Sequence, residues 1–169
     1  MSETKKKEIE RKFLIKYPDT AFLASQPLCR VMEIEQTYLL CDCGSLRVRK
    51  SVCGGKTEYI RNLKNNGMNI SRDEDEKNVS EETFRELLLC ADGERNTVFK
   101  TRYAFPFENH TMEVDVYPFW NDRAILEVEL KAEDEQFGIP DYIGIIKEVT
   151  NDKRYSNRAL AKEIITEEL

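Results

Sequence analysis

Near the start of the chain, Glu8, Glu10 and Lys12 stand two residues apart. On an extended strand residues two apart share a face, so two carboxylates and an ammonium project to one side. The pattern recurs in Arg47 and Arg49, in Arg72, Glu74 and Glu76, in Lys100 and Arg102, in Glu113 and Asp115, and in Glu127 and Glu129. Guanidinium forks match phosphate oxygens in a bidentate way, and lysine acts as a point charge. The candidate anion binders are therefore Lys12, Arg47, Arg49, Lys64, Arg72, Lys100 and Arg102. The carboxylates Glu8, Glu10, Glu74, Glu76, Asp115, Glu127 and Glu129 cannot all ionise side by side without a cation. Hard oxygen ligands suit Mg²⁺ or Mn²⁺. An anion clamp beside a carboxylate-held metal is the equipment of phosphoryl transfer.

These residues need strands to present them. Alternating runs predict strands over 7–15, 31–41, 45–53, 56–65, 69–79, 95–106, 110–118 and 123–131. Turn-forming residues separate them, at Cys43-Gly44, Gly54-Gly55, Asn65-Asn66-Gly67, Asp92-Gly93, Glu108-Asn109 and Asn121-Asp122. Close spacing with short turns implies mostly antiparallel neighbours in a barrel or sandwich. Helices are predicted over 80–89, behind the N-cap Ser80, over 19–26, and from Ser156 through Leu160, Ile164 and Ile165. Opposite the charges lie apolar residues, such as Ile9, Phe13 and Ile15, or Leu126, Val128 and Leu130. Two readings stay open. In one, a half-buried sheet turns its charges to water. In the other, a closed barrel turns them inward, which requires paired or ion-bound charge. Tight same-sign pairs, acidic on some strands and basic on others, favour the second over a mixed solubilising surface.

The 169 residues suit one domain over 1–169, long enough to bury a sizeable core. The net charge of −6 argues against a general nucleic-acid binder but not against a small anion. No apolar run is long enough to span a membrane, and the N-terminus carries no signal-peptide pattern, so a cytoplasmic location is expected. Cys29, Cys41, Cys43, Cys53 and Cys90 form no C-x-x-C pair and predict neither structural zinc nor a disulfide framework. The single histidine, His110, falls near a turn and is not expected to catalyse; Tyr38 reads as a core or rim residue able to point inward beside Gln36.

Taken together, the motifs resemble those of CYTH domains, the triphosphate tunnel metalloenzymes. Glu8-x-Glu10-x-Lys12 is similar to the family's E-x-E-x-K. Gln36-Thr37-Tyr38-Leu39, Leu46-Arg47-Val48-Arg49, Leu63-Lys64, Ser71-Arg72-Asp73-Glu74-Asp75-Glu76, Lys100-Thr101-Arg102-Tyr103, Glu113-Val114-Asp115 and Leu126-Glu127-Val128-Glu129 follow in the family's order. The run from Lys147 to Asn157 resembles the closing motif of the bacterial branch, and the likeness covers residues 8 to 162.

The resemblance implies an all-β-dominated α+β fold. Its core would be a closed eight-stranded antiparallel barrel forming a tunnel, with a few helices outside and a C-terminal plug helix. It implies one or two divalent cations on Glu8, Glu10, Glu74, Glu127 and Glu129, with Asp115 and Glu76 as lesser candidates. Arg47, Arg49, Lys64, Arg72, Lys100 and Arg102 would hold phosphates. Lys12 would orient water or substrate at the metal end, and Lys153 or Arg154 would touch a terminal phosphate or assist the leaving group. With Glu10 and Glu129, Lys12 and Lys153 complete the catalytic candidates. The implied activity is hydrolysis of the terminal phosphate of a small-molecule triphosphate, most simply inorganic tripolyphosphate. Adenylate cyclase, thiamine or nucleoside triphosphatase chemistry, or a non-catalytic polyphosphate-binding barrel, are alternatives on one fold. A monomer or homodimer is expected, without nucleic-acid or membrane partners.

Overall fold

Period-two alternation produces strands wherever it was read. The computed structural model describes residues 6–42, 44–64 and 71–169, with only the backbone described for Lys6 and residues 71–73. Its strands are β1 (Lys6–Lys16), β2 (Arg30–Leu39), β3 (Ser45–Cys53), β4 (Lys56–Lys64), β5 (Ser71–Asn78), β6 (Val98–Phe107), β7 (His110–Val116), β8 (Arg123–Glu129) and β9 (Ile145–Glu148). The turns expected at Cys43 and at Asn65-Asn66-Gly67 involve residues outside the described ones, as does the side chain of Arg72.

All pairings are antiparallel, in the order β5-β4-β3-β2-β6-β7-β8-β1-β9. The β3–β4 hairpin turns on Gly54 and Gly55 at φ 56° and 78°, with Cys53 opposite Lys56. Two consecutive left-handed residues define the type I′ turn that matches strand twist, and glycine adopts that conformation without strain. β1 is bordered on one edge by β8, with Glu10 opposite Glu129 and Lys12 opposite Glu127. Its N-terminal residues also pair with β5, Glu8 opposite Arg72 and Lys6 opposite Glu74.

Two expectations need correction. Among the described residues the sheet has nine strands where eight were expected. The ninth, β9, is four residues long and pairs Phe13 with Glu148 and Leu14 with Lys147. So short a run between Gly144 and Val149 shows no alternation of its own, and the free stretch of β1 edge makes it a strand. The C-terminal helix is also much shorter than its apolar spacing suggested. α3 spans Asn157–Leu160 after a 3-10 turn at Lys153–Tyr155, and Ser156 caps it by accepting from Ala159 N. Beyond it, the carbonyl of Ala161 accepts from Asn96 N at 2.7 Å and that of Ile165 from Trp120 Nε1 at 2.8 Å. These tertiary bonds take carbonyls that helix propagation would need. The other helices, α1 (Thr20–Ala24) and α2 (Glu81–Leu88), begin at the caps Asp19 and Ser80.

One sheet face is apolar. Ile9, Phe13, Ile15, Phe105, Met112, Val114, Leu126 and Val128 cluster there with Leu23 of α1, and Phe84 of α2 joins Leu39 and Val48. The opposite face buries Gln36, Arg47, Asn62, Lys100, Arg102, Asp115 and Glu127. Toward one end this face turns apolar through Leu14, Tyr38, Val98, Tyr117 and Ile125, and Tyr155 and Leu160 of the C-terminal segment pack onto it. Each such fully buried large side chain contributes about 1.5–3 kcal/mol. The segment is thereby fixed at one end of the charged face. Among the described residues no helix is long and apolar enough to cross a membrane.

Candidate active site

A cavity of about 1600 Å³ opens along the charged face. Its wall takes Glu8, Glu10 and Lys12 from β1, Tyr38 from β2, Arg47 and Arg49 from β3, and Lys64 from β4. Glu74 and Glu76 come from β5, Arg102 from β6, Glu113 from β7, and Glu127 and Glu129 from β8; Lys153 and Arg154 stand where the C-terminal segment crosses it. Most residues singled out by alternation thus converge on one space. The charged faces line this cavity, with Arg47, Arg102 and Glu127 buried in it and Glu76 and Glu129 exposed at it.

The basic side is underpaired. The Nε atoms of Arg47 and Arg49 are buried and have no hydrogen-bond partner. A buried unsatisfied donor costs about 1–3 kcal/mol, which an anion in the cavity would recover. Burial, then the neighbouring guanidinium groups of Arg47 and Arg102, push Arg49 down to about 10. Arg47 lies beside the Tyr38 hydroxyl, which accepts from Gln36 Nε2 at 3.0 Å. Tyr38 is therefore held at the cavity wall by the Gln36 amide.

The acidic side is crowded. Burial, then the charge of Glu127, push Glu10 up to about 7. Burial alone would raise Glu127 too, but Lys12 and Arg102 hold it well below the usual carboxylate range. Lys12 Nζ lies 3.3 Å from Glu127 Oε1, and Lys64 Nζ lies 2.7 Å from Glu8 Oε2. Asn62 donates to both Glu74 and Glu76. Among the described residues no three carboxylates form a ready-made cage; they lean on these wall groups instead. The donor chemistry nevertheless fits a divalent cation. The ligands are hard oxygens, and positive charge beside Glu10, whose carboxyl is raised to about 7, would favour its ionised form.

Asp115 and Lys100, expected as ligand and phosphate binder, are placed behind the wall and not in it. Lys100 Nζ meets Asp115 Oδ2 at 2.7 Å with both side chains fully buried. Arg102 holds Asp115 with two parallel bonds of 2.7 and 2.8 Å, reaches Glu127 at 3.2 Å and contacts Glu113. This network fixes Arg102 from below. Burial would raise Asp115, but Arg102 and Lys100 hold it below its usual range, and burial pushes Lys100 down to about 7. Three wall or subwall residues escaped the sequence reading as site residues. Glu113 shares the pattern of Asp115 and differs only in reach. Arg95 lines the cavity from a loop, with Nη1 on the Arg158 carbonyl at 2.6 Å. Asn62 is uncharged, and only its place on the face of Lys64 pointed to it. His110 lies away from the cavity, its Nε2 2.9 Å from Glu135.

A scan against protein-family models found no match. Curated relatives are similar over nearly their whole length. The chain is 36% identical over 162 residues to an inorganic triphosphatase of Nitrosomonas europaea, covering 93% of this chain and 98% of the relative. It is 37% identical over 160 residues to an inorganic triphosphatase of Acetivibrio thermocellus, covering 92% and 94%. Among solved structures, the crystal structure of an inorganic triphosphatase superposes with a TM-score of 0.57 at 33% identity, covering 93% of this chain and 95% of that one.

Proposed function

The chain belongs to the inorganic triphosphatase family, and on that premise we propose that its charged cavity holds inorganic tripolyphosphate with Mg²⁺ or Mn²⁺ and hydrolyses the terminal phosphate. The observation that carries this reading is the pairing within one cavity of two arginines with unsatisfied Nε atoms and a carboxyl that titrates at about 7. An anion and a cation bound together answer both deficits.

The sheet is read as closing into a tunnel, a reading supported by the pairing of β1 with β5, the strand at the far end of the sheet order. Arg47, Arg49, Lys64 and Arg102 bind the phosphate oxygens, with Arg72 as a further candidate on β5. Glu8, Glu10, Glu127 and Glu129 hold the cation from β1 and β8, and Glu74 and Glu76 approach it from β5. Asp115 and Lys100 support Arg102 from behind. The cation, when bound, neutralises charge on the phosphoryl oxygens. Lys12, fixed on Glu127, orients the terminal phosphate toward a water placed for in-line attack, with Glu10 and Glu129 framing that end. A phosphorus–oxygen bond to the water forms as the anhydride bond to the neighbouring phosphate breaks, and one proton of the water ends on the departing diphosphate. The diphosphate leaves with its growing charge held by Arg47 and Arg49, and Lys153 and Arg154 at the mouth assist its departure.

The test is phosphate release from tripolyphosphate, ATP, thiamine triphosphate and pyrophosphate, each with Mg²⁺, Mn²⁺, Ca²⁺ or chelator. Tripolyphosphate should be cleaved fastest with Mg²⁺ or Mn²⁺, and chelator should abolish release. No release from any member of the panel would overturn the reading.

A further inference from the structure

Asn62 occupies a position that the charged-face pattern does not explain. It lies on β4, is 1% exposed, and faces the same side as Lys64. Its cross-strand neighbours are Arg47 on β3 and Glu76 on β5. An amide nitrogen carries two protons. Here Nδ2 gives one to Glu74 and the other to Glu76, the latter at 3.0 Å. Two carboxylates that would repel one another therefore converge on one neutral donor at the cavity wall. The other end of the amide, Oδ1, is buried without a partner, as is Nε of the neighbouring Arg47. An unsatisfied acceptor and an unsatisfied donor thus sit on directly opposed residues of the same face.

We propose that Asn62 is a positioning residue for the cation: it gathers Glu74 and Glu76 into one carboxylate pair and seats that pair against the phosphate clamp at Arg47. The inference rests on the metal-dependent reading above. A neutral amide does this better than a lysine would. It aligns both carboxylates without cancelling their charge, so their oxygens stay available to a cation. Groups that orient metal-binding carboxylates from behind commonly tune affinity by about 10–100-fold when removed. A merely structural asparagine would change stability alone.

Substitution of Asn62 by threonine leaves one donor proton, and by valine, of nearly the same shape, leaves none. Mn²⁺ binding to the metal-free full chain is measured by titration calorimetry, with melting temperature in chelator alongside. For Asn62→Val the dissociation constant for Mn²⁺ should rise about 10–100-fold, with Asn62→Thr between it and the wild type. Wild-type Mn²⁺ affinity in Asn62→Val, whatever happens to its melting temperature, would overturn the proposal. Should the valine variant fail to fold, wild-type affinity in Asn62→Thr would overturn it equally. A parent protein that hydrolyses tripolyphosphate with Mn²⁺, beside variants that bind Mn²⁺ as it does, fails the Asn62 assignment alone. A parent that binds no Mn²⁺ overturns this inference, and the functional reading falls with it only if the parent also releases no phosphate from the panel.

Discussion

At Glu10, burial and the nearby Glu127 act in the same direction, lifting the carboxyl from 4.5 to about 7. Between those values the folded chain keeps a proton that the unfolded chain has lost. The unfolded state then binds fewer protons, so this group makes the ion-free fold less stable as pH rises through that window. At 1.36 kcal/mol per unit, the full effect is on the order of 3 kcal/mol. Glu10→Gln removes it. In chelator, the melting temperature of the variant should match the wild type below pH 4.5 and exceed it by several degrees above pH 7. A difference that stays flat with pH would contradict the assignment. With Mn²⁺ present the order should reverse, because a cation favours ionised Glu10 and has less to hold in the variant. Cross-strand pairing creates this conflict: Glu10 faces Glu129 and Lys12 faces Glu127 across β1 and β8.

The C-terminal segment shows what an element owes to its neighbours. Its apolar spacing predicted a helix from Ser156 onward, and α3 stops at Leu160. The segment is held instead by single bonds to the loop after β7. Tyr117 donates to Asn157 Oδ1 at 2.6 Å, and Trp120 to the Ile165 carbonyl. Tyr117→Phe would strand the buried Asn157 oxygen at a cost of about 1–3 kcal/mol. The expected result is a melting temperature lower by about 2–4 °C per kcal/mol and a red shift of the emission of Trp120, the chain's single tryptophan. An unchanged melting curve would show that this bond does not anchor the segment. The β3–β4 hairpin is the opposite case. Gly54-Gly55 dictates its turn from two residues, and the observed register follows.

Across the whole molecule, binding and stability are linked. A ligand at 100 times its dissociation constant stabilises the fold by about 2.7 kcal/mol. Tripolyphosphate added in chelator, where no turnover is expected, should therefore raise the melting temperature. Arg49 is pushed down to about 10 by burial and by Arg47 and Arg102, so it is a poor contributor to the empty fold and a strong one to the filled cavity. Arg49→Ala should leave the ligand-free melting temperature unchanged or higher and lose most of the protection by tripolyphosphate. Equal protection of variant and parent would remove Arg49 from the clamp.

The sequence by itself determined which residues share a face. That property has a period of two and depends on neighbours alone, so Glu8, Glu10 and Lys12, or Arg47 and Arg49, were legible at once. It determined the Gly54-Gly55 turn and the cap at Ser80 for the same reason. Tertiary structure alone decided what each charge meets. Glu113 and Asp115 are equivalent in pattern, yet Glu113 lines the cavity while Asp115 is locked beneath it by Lys100 and Arg102. It decided that Lys12 would neutralise Glu127, some hundred positions away, and leave Glu10 raised. It also recruited Arg95 and β9, which carry no periodic signal, and Asn62, which shares the face of Lys64 but carries no charge. Pairing energies in a low-dielectric interior depend on distances of a few ångströms. Those distances are set by strand neighbours far apart in the chain, and no local pattern encodes them.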